Sequence, residues 1–256
     1  MGVSWEPELY AVFEAERTQP CADLIGKLQL NAPRRIMDLG CGPGNSTELL
    51  ARRFPRAELQ ALDSSDAMLT AARKRVRNCA FLLEDMAEWT PSQRFDLIFA
   101  NASLHWLPDP IAAMQRLAEF LNPGGVLAAQ MPRSFHLPTH AAARDIAAMP
   151  RWEWLLKDVT HRSEPAGPGP EYDVLSLENS RVQVWETVYE HVLPSPAHVV
   201  QWMRGTGLRP YLDRLSTTER QSFLNEYALR IHAEYMPDET GHVVLNYPRV
   251  FVLIER

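Results

Sequence analysis

From residue 35 to residue 130 the chain repeats one pattern: a short apolar run, a few turn residues, then a stretch with helical apolar spacing. Arg35-Ile36-Met37-Asp38-Leu39, Glu58 to Asp63, Cys79 to Glu84, Phe95 to Ala100 and Val126 to Gln130 are the runs of strand length. Between them, the stretch after Gly44, Asp66 to Val76 and about Pro110 to Phe120 space their apolar residues as helices do. Asn45 or Ser46 is suited to cap the first of these, and Asn122-Pro123-Gly124-Gly125 reads as a turn. Strands alternating with helices in short units fit few architectures. They predict an α/β fold, Rossmann-like and doubly wound around a mostly parallel sheet.

The flanks are less regular. Glu6 to Leu30 carries helical spacing through Leu9, Val12, Phe13, Leu24, Ile25 and Leu28, and Pro20 is expected to divide it into two helices. Beyond Met131 the pattern predicts a helix from Pro138 to Met149 and a flexible Pro- and Gly-rich loop from Glu164 to Glu171. A period-two strand follows from Arg181 to Tyr189, then helices at His198 to Arg204 and Thr218 to Tyr235, and a closing strand from Arg249 to Ile254.

In open α/β sheets ligands bind outside the carboxyl ends of the strands. Asp38-Leu39-Gly40-Cys41-Gly42-Pro43-Gly44 follows the first strand there. Its glycines allow a tight turn and close backbone approach to a ligand, or they mark a structural turn alone. Asp63 ends the second strand about 20 residues on, where a carboxylate can accept from both ribose hydroxyls. Asp85 ends the third beside Met86, placed to accept from an adenine amino group while Met86 packs on the ring, and Asn101 ends the fourth. Each of these is more often a turn or cap residue; their register at successive strand ends is what points to a nucleotide-like cofactor. A dinucleotide fits less well, because Glu48 stands where a third glycine would be sought.

These same residues resemble the ordered motifs of class I methyltransferases that use S-adenosylmethionine (SAM): Ile36 to Thr47, Asp63-Ser64-Ser65-Asp66-Ala67-Met68, Asp85-Met86 and Phe95 to Asn101. The resemblance implies seven strands with an antiparallel last one, helical lid insertions and SAM as cofactor. It implies cofactor contacts from Asp38, Gly40, Gly42, Gly44, Asn45, Asp63, Ser64, Met68, Asp85, Met86 and Asn101. Residues 1–256 are then one methyltransferase domain, with 1–131 mainly holding SAM and 132–256 completing the sheet and covering the substrate.

A narrower likeness runs over nearly the whole chain. Trp5 with Tyr10, Phe13 and Arg17, Gly42 to Leu50, Gln130-Met131-Pro132, Pro138-Thr139-His140, Val184 to Tyr189 and Gly205 to Leu212 resemble the trans-aconitate 2-methyltransferase family. That family esterifies a carboxylate of a small polycarboxylic acid. A carboxylate is already ionised at neutral pH, so no general base is needed and no Ser-His-Asp arrangement is expected. A polycarboxylate needs bidentate cations, which Arg supplies better than Lys. Arg209 and Arg17 come first, then Arg204 and Arg181, each of which reads equally as a surface or ion-pair residue. His105 lies just past the fourth strand, as a donor to the acceptor or as a turn cap. Trp106, Trp202, Tyr10 and Tyr211 wall a pocket or pack in a core. Other readings stay open: a different small acid, a quinone-like acceptor, or a SAM-binding module without catalysis.

Several classes are disfavoured. A net charge of −6 argues against nucleic acid, and the cluster Arg73, Lys74, Arg75, Arg77 reads as a solvated helix surface. No run nears the roughly 18 apolar residues of a membrane span. Cys21, Cys41 and Cys79 form no Cys-x-x-Cys pair, and Pro138 spoils the helical spacing of His136 and His140, so no metal is expected. The N-terminus lacks signal-peptide features and has Glu6 where myristoylation needs Ser or Thr. A cytoplasmic monomer is expected.

Overall fold

A computed structural model describes residues 13–159, 165–176 and 180–256. They fall into two compact units. The first comprises Glu14–Arg133, 165–176, 180–187 and Arg249–Arg256; the second comprises Phe13, 134–159 and Val188–Pro248. The second half of the chain therefore contributes to both.

The first unit contains α1 (Glu14–Lys27), β1 (Arg35–Leu39), α2 (Asn45–Arg53), β2 (Glu58–Asp63), α3 (Asp66–Arg75), β3 (Ala80–Leu83), β4 (Phe95–Asn101), α4 (Pro110–Ala118) and β5 (Leu121–Pro132). It also holds the first part of β6 (Arg181–Leu193) and the last part of β7 (Val243–Glu255). The strands form one sheet in the order β3-β2-β1-β4-β5-β7-β6. β1 to β5 pair in parallel, and β7 runs antiparallel beside β5. Ile36, Met37, Leu39, Leu97 to Ala100, Leu127 to Ala129 and Val250 to Ile254 are buried in consecutive runs, as strands covered on both faces require. The winding reverses between β1 and β4, which opens a crevice at their carboxyl ends.

Two local expectations fail here. Pro20 does not divide the N-terminal helix: α1 runs through it. An internal proline costs about 3 kcal/mol. Leu24, Ile25 and Leu28 are buried on the same stretch, and each contributes about 1.5 to 3 kcal/mol, so packing outweighs the missing main-chain bond. Asn122 to Gly125 is not a free turn before β5 but a bulge within it. Phe95 pairs with Leu121 while Leu97 pairs with Val126, so the intervening residues loop out. Asn122 Nδ2 donates to Asp96 Oδ1 at 2.7 Å, and Gly124 takes φ +75°.

The second unit packs α5 (Pro138–Ala147), α6 (Pro150–Leu156), α7 (Pro196–Arg204), α8 (Arg209–Leu212) and α9 (Thr217–Glu234) with the remaining lengths of β6 and β7. α6 and α8 escaped the periodicity because each is too short for an apolar stripe to recur. The span from Glu164 to Glu171 lies partly outside the described residues, and Pro170–Leu175 forms a 3-10 helix. The closing strand begins six residues early, at Val243. Val243, Leu245 and Tyr247 are buried in alternation there, and the strand continues through Pro248. Ser216 and Glu219 close a capping box on α9. Tyr227, buried on α9, donates its hydroxyl to the Thr139 carbonyl at 2.9 Å. Among the described residues no helix is long and apolar enough to cross a membrane.

Candidate functional site

The carboxyl edge of the sheet gathers most of the expected cofactor residues within the first unit. β1 delivers Asp38 fully buried. Its Oδ2 accepts from Ser46 Oγ at 2.8 Å and Thr47 Oγ1 at 2.6 Å. Burial pushes its carboxyl up to about 6 against those two hydrogen bonds, and the nearby Asp63 adds to the rise. Neither Asn45 nor Ser46 caps α2. Gly44 is the N-cap, at φ +92°, and the Ser46 and Thr47 hydroxyls turn to Asp38 instead. Asn45 Nδ2 reaches Thr18 Oγ1 at 3.5 Å.

The glycine loop is held from two sides. Asp63, at the end of β2, accepts from the Gly42 N–H and the Ser65 N–H, both at 2.9 Å. Burial raises its pKa, and these two donors counter that. Gly40 lies against Ser103: a β-carbon built on Gly40 would stand 2.5 Å from Ser103 Cβ and 3.3 Å from Met86 Cε. Gly42, at φ +55°, faces open space instead, with nothing within 4 Å of such a carbon. One glycine is a packing requirement and the other lines a cradle.

Ser64 is exposed, whereas Met68 is buried in α3, which Ser65 caps. Asp85 lies two residues past β3, exposed, its Oδ1 accepting from Ala87 N–H at 2.9 Å. The Met86 carbonyl accepts from Arg116 Nη2 at 2.8 Å. Asn101 ends β4, and its Oδ1 accepts from Gln130 Nε2 at 2.6 Å. His105 and Trp106 follow in a 3-10 helix, His105 buried and Trp106 half-buried, with rings 5.2 Å apart. Arg17 is buried on α1.

Arg181 is not brought to this edge. It lies exposed at the start of β6, beside a cleft of about 420 Å³ shared with Lys27, Val126 and Glu255 near the start of β5. In the second unit Arg209 is buried at the start of α8 and pairs with Asp213 at 3.4 Å. Arg204 is exposed at the end of α7. Trp202 is a core residue, with Phe13, His191 and Tyr247 ring centroids 5.0, 4.9 and 5.5 Å away. Tyr211 is buried and stacks on Phe223. Tyr10 lies outside the described residues. The sequence assigned no site role to Ser103, Gln130 or Arg249, because their contacts join segments far apart in the chain.

Residues 36–125, the stretch that builds this edge, match the methyltransferase domain family. Over nearly its full length the chain also resembles curated relatives. It is 44% identical to the trans-aconitate 2-methyltransferase of Rhodopseudomonas palustris, covering 97% of this chain and 98% of that one. It is 47% identical to that of Methylobacterium radiotolerans, covering 98% of each. This chain belongs to the trans-aconitate 2-methyltransferase family.

Solved structures agree on the fold of this methyltransferase. The YcgJ protein of Bacillus subtilis covers 93% of the chain, and 98% of that protein is matched, with a TM-score of 0.58 at 17% identity. A structure described as a putative methyltransferase from Bacillus halodurans gives 0.55 at 12% identity, with the same coverage.

As a member of this SAM-dependent family, the chain uses SAM as its cofactor. The edge fits a nucleoside with a zwitterionic tail. The Gly42 cradle is open, the Asp63 carboxylate is held at its rim, and Asp38 Oδ1 accepts from no described residue. Among the described residues no group of His, Cys, Asp and Glu could hold a metal.

Proposed function

We propose that this methyltransferase esterifies a carboxylate of a small polycarboxylic acid, trans-aconitate foremost. The observation that carries this reading is the identity to relatives of that name, which extends through 97–98% of the chain and so includes the second unit.

When bound, SAM supplies a methyl group on a cationic sulfur. The chain's own part is then to bind, orient and exclude water. The glycine loop, set by Asp63, holds the cofactor tail. Asp63 accepts from the ribose and Asp85 from the adenine, with Met86 against the ring. An acceptor carboxylate carries its own lone pair at neutral pH, so no residue need take a proton from it. Joining an anion to a cation disperses both charges, which leaves catalysis to placement and a dry setting. His105 and Trp106 follow β4 at the same rim as Asn101, and His105 supplies a hydrogen bond to the acceptor. Arg17 and Arg209, each buried in its own unit, are proposed separately as cationic partners of the acceptor's carboxylates.

The cysteines are free thiols, in keeping with a reducing cytoplasm, and the chain is proposed to work there as a monomer. Sedimentation at the mass of two chains would reject the monomer. The deciding experiment is transfer from labelled SAM to trans-aconitate, cis-aconitate, citrate, isocitrate and a long-chain fatty acid. Base-labile label on trans-aconitate alone is expected. Label on another acid keeps the chemistry and discards the substrate, and binding of SAM without any turnover would overturn the enzymatic reading.

A further inference from the structure

Three polar side chains form a line across β7, β5 and β4 of the first unit, buried at its first two members. Arg249 Nη1 donates to Gln130 Oε1 at 3.1 Å, and Gln130 Nε2 donates to Asn101 Oδ1 at 2.6 Å. Arg249 is 4% exposed and Gln130 is fully buried. A guanidinium has only donors. Gln130 must therefore turn its oxygen to Arg249, which leaves its Nε2 to face Asn101. Asn101 must in turn present its oxygen, and its own Nδ2 is left as a donor. Among the described residues Nδ2 donates to nothing, and Asn101 is half-exposed at the carboxyl end of β4.

The same glutamine also fixes the backbone beyond. Its carbonyl accepts from the Ala102 N–H at 2.9 Å, where Ala102 takes the left-handed φ of +51° and leads into Ser103 against Gly40. An alanine holds that conformation only when its surroundings impose it.

We propose that Arg249 and Gln130 are positioning residues that set the polarity of the Asn101 amide, so that it presents a donor to a ligand carboxylate at the methyl-transfer site. A flipped amide would present oxygen to that anion and repel it. The proposal rests on the cofactor reading above, and two carboxylates could be the ligand: the one on the cofactor tail or one on the acceptor.

Two variants reverse the polarity by different routes. Asn101→Asp removes the donor directly. Gln130→Glu keeps the contact to Arg249 but gives Asn101 only acceptors to face, so that its Nδ2 turns inward and its oxygen outward. Calorimetric titration with S-adenosylhomocysteine and with 5′-methylthioadenosine, which lacks the amino-acid tail, is paired with the KM for trans-aconitate. A carboxylate on the cofactor predicts that both variants bind S-adenosylhomocysteine about 10- to 100-fold more weakly while methylthioadenosine is unaffected. A carboxylate on the acceptor predicts unchanged S-adenosylhomocysteine and a similar rise in the KM. In Asn101→Asp the loss relative to wild type shrinks as pH falls from 8 to 5.5, because a protonated carboxyl donates again. The proposal is overturned if both variants behave as wild type, if Gln130→Glu alone does, or if both ligands weaken alike. Failure of the wild-type chain to bind S-adenosylhomocysteine would overturn the cofactor reading itself, and this inference with it.

Discussion

Gly40 and Ser103 meet so closely that any side chain on the glycine would occupy the serine's place, with β-carbons 2.5 Å apart. Gly40→Ala must therefore displace the turn after β4 as well as strain its own φ of +65°. Gly42→Ala bears only the left-handed cost, about 1 kcal/mol, because its β-carbon enters open space. The expected outcome is a lower Tm for Gly40→Ala by several degrees. For Gly42→Ala the Tm changes little, and the affinity for S-adenosylhomocysteine falls more than tenfold, because the new methyl fills the cradle. Thermal melts and calorimetry on the two variants check this, and equal effects would undo the distinction.

Asp63 accepts two backbone N–H groups, one from the glycine loop and one from the residue that caps α3. Hydrogen bonds to a charged group contribute about 1.5 to 3 kcal/mol each. Asp63→Ala should lower the Tm and weaken cofactor binding by at least an order of magnitude. Unchanged cofactor affinity would remove Asp63 from the ribose.

Asp38 makes stability depend on pH in the unusual direction for a carboxylate. Burial holds its folded pKa near 6, above an unfolded value near 4, so the folded chain binds the extra proton. The linked stabilisation is full below about pH 4, falls as pH rises towards 6, and is lost above that. The whole change is about 2 to 3 kcal/mol. Chemical denaturation of wild type and Asp38→Asn at pH 4, 5, 6 and 7 should show wild type losing ground to the variant across that window. A difference independent of pH would show that folding does not raise the pKa of Asp38.

Arg209 is buried yet charged, with Asp213 at 3.4 Å as its ion-pair partner. If Arg209 also holds an acceptor carboxylate, Arg209→Ala raises the KM for the acid about 10- to 100-fold and leaves S-adenosylhomocysteine affinity as it was. Arg209→Lys restores only part, since an ammonium lacks the planar fork. Steady-state kinetics with trans-aconitate decide it; a normal KM in Arg209→Ala takes the residue out of the site.

What the amino-acid order determined by itself is local and periodic. The strand-helix alternation of residues 35–130, the glycine turn after β1, and the polar residues at the ends of β1, β2 and β4 all follow from spacing a few residues long. Each reappears in the structure within a residue or two, except that β5 starts at Leu121, five residues before the expected Val126. Asp85 was legible as an acid at the third strand's end, although β3 stops two residues sooner. What only the tertiary structure decided involves residues far apart in the chain. Pro20 stays inside α1 because burial of its neighbours outweighs a missing hydrogen bond. Trp202 is a core residue because Phe13, His191 and Tyr247 surround it, and Arg181 lies by the start of β5 because β6 enters the sheet there. The line from Arg249 through Gln130 to Asn101 joins positions 119 and 29 residues apart. Periodicity reports which face of an element is apolar, but the partner of a buried polar group is chosen by sheet order, and sheet order is a property of the folded chain.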